Sequence, residues 1–118
     1  MIDKRFLKYW LFAGDLNKNI EQIEKYIDRE IENNAKRGKT TFKIRTASWG
    51  FRSPEPNQFY ELMYDKTLSA EKQQVAQNEI IEKYRANGFE VELVEDFASE
   101  RKNYPALLFK DIDKVLEE

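Results

Sequence analysis

Cysteine and histidine are both absent from the 118 residues, and proline (3) and glycine (4) are scarce. The first two absences exclude disulfide frameworks, Cys and Cys/His zinc sites, thiol nucleophiles, His-based triads and imidazole pH switches together. Long apolar runs are also missing. The longest near the start covers residues 9–13, too short for a signal-peptide core or a membrane span, so a cytoplasmic protein with no membrane partner is expected. What remains is a balance of 20 basic against 22 acidic residues, 36% charged, 41% hydrophobic and 14% aromatic. That is too apolar for a disordered chain and too charged for a membrane protein. The length suits one domain spanning 1–118.

Periodicity supplies the elements. Leu16, Ile20, Ile23, Ile27, Ile31 and Ala35 recur at steps of three or four, predicting a helix over 16–37 that Asp15 or Asn17 caps and Gly38 ends. A second helix is predicted over 70–86, with Ser69 as N-cap and Gly88 as stop. Each runs through its glycine into an alternating segment. Phe42 and Ile44 alternate with polar residues over 40–46, and Phe89, Val91 and Leu93 with Glu90 and Glu92 over 89–94, the period of strands with one buried face. Two aromatic-rich segments, 7–13 and 59–64, read as further strands. Residues 47–57, with Gly50, Pro54 and Pro56, read as a long hairpin loop.

The order strand, helix, strand, strand, helix, strand predicts an α+β fold of ferredoxin-like βαββαβ type, two helices on one face of a four-stranded antiparallel sheet. Residues 96–118 then form a C-terminal extension packing on the domain, with a further strand at 104–109 and a helical turn at 111–116. Alternation turns Leu7, Tyr9, Leu11, Phe42, Ile44, Phe89, Val91 and Leu93 toward the helices. Lys8, Trp10, Phe12, Lys43, Arg45, Glu90 and Glu92 face the other way, joined by Phe59, Glu61 and Met63. Trp10, Phe12, Phe59 and Met63 would form an apolar centre on the open face, which the tail, a second copy or a ligand must cover.

Charge is segregated. Between 33 and 54 lie six basic residues (Lys36, Arg37, Lys39, Lys43, Arg45 and Arg52) and no acidic one; between 86 and 100 lie five acidic residues and no basic one. In the expected sheet these segments are the two edges, which guards against edge pairing and gives the molecule one basic and one acidic rim.

Motifs for chemistry are wanting. Asp15, Asn17 and Asn19 hold the first, third and fifth positions of a calcium loop, but Ile20 and Tyr26 stand where its glycine and closing glutamate belong, so a helix start is the better reading. No phosphate-loop, dinucleotide, serine-hydrolase or zinc-protease motif occurs. Nothing pairs Glu61, Glu90 and Glu92 for acid/base work. No cofactor, metal or catalytic residue is expected.

The chain reads as one compact unit rich in Lys, Glu, Asn and Ile, with helices running into strands as in Ile31-Glu32-Asn33-Asn34-Ala35-Lys36-Arg37-Gly38 and Tyr84-Arg85-Ala86-Asn87-Gly88-Phe89-Glu90-Val91. In that texture it resembles small bacteriophage-encoded accessory proteins, anti-CRISPR inhibitors among them. That resemblance implies a non-enzymatic inhibitor acting in the host cytoplasm by docking on a host protein or nucleoprotein. The residues expected to dock are Trp49 and Phe51 as aromatic anchors, with Lys43, Arg45 and Arg52 supplying charge. Two alternatives stand beside it. One is a single-stranded nucleic-acid (RNA) binder stacking bases on Trp10, Phe12 and Phe59; the other is an oligomeric structural component, a homodimer being its simplest form.

Overall fold

The computed structural model describes residues 4–49, 54–98 and 103–116. Its elements are helix α1 (Lys4–Lys36), strands β1 (Phe42–Arg45), β2 (Ala47–Trp49) and β3 (Pro54–Pro56), helices α2 (Gln58–Met63) and α3 (Ala70–Ala86), strands β4 (Glu90–Ala98) and β5 (Asn103–Lys110), and a 3-10 helix at Ile112–Leu116. The class is α+β, but the architecture differs from the expected one. The sheet is three-stranded and antiparallel in the order β1-β5-β4, and β2 and β3 form a separate two-stranded ribbon.

Both aromatic segments assigned to strands are helical. Residues 7–13 are the start of α1. Nothing between Lys4 and Lys36 breaks a helix except the isolated Gly14, which costs only about 1 kcal/mol against alanine, so the capping expected of Asp15 and Asn17 is not needed. Residues 59–64 mostly form α2, whose N-cap Asn57 accepts a hydrogen bond from the Tyr60 amide at 3.2 Å. Spacing of four brings Phe59 and Met63 onto one buried face and sets the Tyr60 and Tyr64 rings 4.8 Å apart on the next.

The other elements follow their predicted signals. Ser69 caps α3 by accepting from the Lys72 amide, and Gly38 (φ 73°) and Gly88 (φ 93°) turn the chain out of α1 and α3 through left-handed backbone. The tail proves central. β5 pairs with β1 on one side (Phe42↔Phe109, Ile44↔Leu107) and β4 on the other (Val91↔Phe109, Leu93↔Leu107), so residues 103–110 are the middle of the sheet and not a covering over it.

One face of the sheet packs on the helices. Phe42, Ile44, Val91, Leu107 and Phe109 meet Ile23 and Ile27 of α1 and Ala76, Ile80 and Tyr84 of α3 in one core. Phe109 is its hub, with Phe42 stacked at 5.6 Å and Tyr84 and Phe89 edge-on at 5.7 and 5.9 Å. Phe59 stacks on Tyr26 at 4.9 Å. The C-terminal end of α2, where backbone carbonyls lack helical partners, and the connection that follows it are fastened by side-chain amides. Asn19 of α1 donates to the Leu62 carbonyl, Gln77 of α3 to that of Met63, and Gln73 to those of Asp65 and Leu68. Asn19, a calcium-loop position in the sequence, is thus a buried strut inside α1. Among the described residues no helix is long and apolar enough to cross a membrane.

Candidate interaction face

The described residues on the side of the sheet away from the helices are mainly ionic. Lys43 and Arg45 project there from β1, Lys110 from β5, and Glu90 and Glu92 from β4, by the alternation that buries Phe42, Ile44, Phe109 and Val91 on the other side. Trp10 and Phe12 belong to α1, and Phe59 is wholly buried in α2. The aromatic stacking surface expected of these three residues is therefore not assembled on the sheet.

β1 and β4 are the edges, as their charges suggest, yet the two ionic segments do not stay apart. Lys43 Nζ lies 3.5 Å from Asp96 Oδ1, and Arg45 Nε lies 3.2 Å from Asp96 Oδ2. Basic side chains from one edge thus reach an acidic one from the other across the central strand. Two local features permit it. Between Arg45 and Val94 the central strand presents Ala106, whose methyl group leaves the long basic chains room to cross. The ladder also slips between Glu95 and Phe97, opposite Pro105, which has no N–H to give; such bulges accommodate strand proline and re-aim the side chain beside it. The Thr46 hydroxyl donates to the Pro105 carbonyl and closes the adjacent corner. Asp96 is only 6% exposed at its side chain, whereas Lys43 and Arg45 are 40% and 54% exposed. One sunken carboxylate therefore holds two cations that still face solvent. On the β4–β5 side, Lys110 pairs with Glu92 at 3.1 Å.

Beside this cluster, Lys39, Lys43 and Arg45 line a groove of about 610 Å³ with Asn34, Thr40, Thr41 and Phe42, and among the described residues no acidic one joins the lining. The β2–β3 ribbon rises from the same strand. Its base is tied by the Asn57 amide donating to the Thr46 carbonyl at 3.0 Å, by the Asn57 side chain donating to the Arg45 carbonyl at 2.8 Å, and by buried Ala47. The predicted hairpin loop is thus a paired ribbon. Trp49 stands in β2, while Phe51 and Arg52 fall outside the described residues. The structure therefore brings Lys43, Arg45 and the β2 position of Trp49 onto neighbouring elements. Lys39 was visible in the sequence only as part of the basic run.

Among the described residues no group of three or more metal-ligating side chains forms. The largest displacement of a titration lies in helix packing. Burial, reinforced by a hydrogen bond to the Asp28 carboxylate, pushes Tyr84 far above the ordinary tyrosine range, and the neighbouring Lys83 pairs with Glu24 at 2.8 Å. Tyr26 and Tyr64 are raised too, first by burial. No family profile matches the chain, and neither a curated protein nor a solved structure matches it.

Proposed function

We propose that the chain is a non-enzymatic binding protein that docks on an acidic surface of a partner protein through the Lys39–Lys43–Arg45 groove and the ribbon next to it, blocking that partner sterically in the manner of a phage-encoded inhibitor. The carrying observation is the groove lined by Lys39, Lys43 and Arg45 at the root of a ribbon with a tethered base, the last two cations still facing solvent while they pair with Asp96. A tethered ribbon loses little freedom on binding, and half-exposed cations steer association and form charge-assisted hydrogen bonds. The ribbon sequence Trp49-Gly50-Phe51-Arg52 supplies the residue types that dominate interface energetics. Nucleic acid is the weaker reading, because the groove carries only a local charge in a chain of net charge −2. Affinity capture comparing the wild-type chain with a Trp49→Ala/Arg52→Ala variant tests the proposal. A partner held by the first and released by the second at unchanged melting temperature supports it; equal capture by both removes the ribbon from the site.

A further inference from the structure

The first turns of α1 carry a second surface, unrelated to the groove. Among the described residues, those that α1 contributes to the core begin at Leu16, whereas Leu7 and Leu11 are 44% and 62% exposed. Leu7 precedes Ile23, and Leu11 precedes Ile27, by the same sixteen positions. At 100° per residue that places both leucines about 160° around the axis from the isoleucines that face the core. Leu7 and Leu11 thus stand on the side of the helix opposite the stripe that its later turns bury against the sheet.

The charge around the exposed stripe is mainly basic, although exposed Asp15 lies four residues beyond Leu11 on the same side. Lys4 and Lys18, both exposed, stand at its two ends, and between 4 and 18 the sequence holds Lys4, Arg5, Lys8 and Lys18 against a single acidic residue, Asp15, with Phe6, Tyr9, Trp10 and Phe12 in the same stretch. A second copy is a poor occupant. Two arms would set these cations against each other.

We infer that this arm lies flat on an anionic phospholipid bilayer, with Leu7 and Leu11 entering the acyl boundary and Lys4 and Lys18 reaching the headgroups. A short basic amphipathic helix with aromatic residues is the sequence type that does so. The expectation of no membrane partner rests on the length of the apolar run, which decides spanning and not adsorption.

Sedimentation of the full-length chain with phosphatidylcholine vesicles, with and without phosphatidylglycerol, tests this. Binding is expected to the anionic vesicles, weakening as salt rises. Leu7→Glu/Leu11→Glu lowers the partition at least about thirtyfold without moving the melting temperature, since both side chains are exposed. Lys4→Glu lowers it about fivefold or more and serves as the second variant should the first unfold. The Trp49→Ala/Arg52→Ala variant binds vesicles normally, which separates this surface from the ribbon. No binding to anionic vesicles, equal binding to phosphatidylcholine alone, full binding by either arm variant, or a Leu11-dependent dimer in light scattering each overturns the inference.

Discussion

Replacing Gln77 by methionine isolates the fastening of α2. Gln77 is 4% exposed, and its Nε2 donates to the Met63 carbonyl at 2.8 Å in an interior position. Methionine has nearly the same volume, so no cavity opens, but it offers no proton. The Met63 carbonyl, at the end of its helix and without an amide four residues on, is left buried and unpaired. Such an orphan costs about 1–3 kcal/mol; a middle value of about 2 kcal/mol corresponds to a fall in melting temperature of about 8 °C for a chain of this length. Urea denaturation followed by circular dichroism should show the loss as a lower midpoint at unchanged slope. Gln74→Met is the control, because Gln74 is exposed and its side chain donates to the exposed Asn78 side chain, so it should stay within about 0.5 kcal/mol of wild type. If Gln77→Met is as mild as Gln74→Met, the amide is not a strut and the account of how α2 is held fails.

Two further measurements probe the ionic arrangements. Folded Tyr84 keeps its proton at pH values where an unfolded tyrosine, with its ordinary value of 10, gives it up; stability should therefore hold below pH 10 and decline above it. Tyr84→Phe should make that alkaline decline shallower in urea titrations, though Tyr26 and Tyr64 retain their share, and an identical decline would show that the Tyr84–Asp28 contact does not shape it. A double-mutant cycle between Lys43→Ala and Asp96→Ala should yield a coupling of up to about 1 kcal/mol that shrinks in high salt; zero coupling at low salt would mean the two edges do not converge on Asp96.

Elements with both a period and punctuation were legible in the sequence. α3 has its stripe, its serine cap and its terminal glycine, and the structure places it at the predicted boundaries. β1 shows clean alternation because it has one face on the helices and one in water; β4 keeps this only at its start, where Val91 is buried, for Leu93 in phase with it is 41% exposed. Residues 7–13 and 59–64 misled for a shared reason: short aromatic runs satisfy both periods. The deciding signals were the lack of any turn residue before Gly14 and the spacing of four that joins Phe59 to Met63 and Tyr60 to Tyr64. The place of β5 was harder to see. Its run Tyr104-Pro105-Ala106-Leu107-Leu108-Phe109 suggests a strand, but proline argues for an edge, and only the bulge in β4, created by pairing, makes a central position tolerable. For the interaction face, Lys43 and Arg45 could be placed on the exposed side of β1 from alternation alone. Their meeting with Asp96 could not, because it depends on strand order and on the small Ala106 between them.

A sheet whose middle strand comes from residues 103–110 has a temporal consequence. Thr46 and Pro105 are 59 residues apart, and in the three-stranded sheet the backbones of β1 and β4 each pair with the strand between them and not with each other. During synthesis the first of these would leave the ribosome as a sticky ribbon with no mate, sheltered only by its helices, until the last strand arrived and joined both neighbours at once. Assembly of the sheet is then a late, concerted event, slow in the way that long-range pairing is slow. A nascent chain stalled short of residue 103 should be the form most in need of a chaperone.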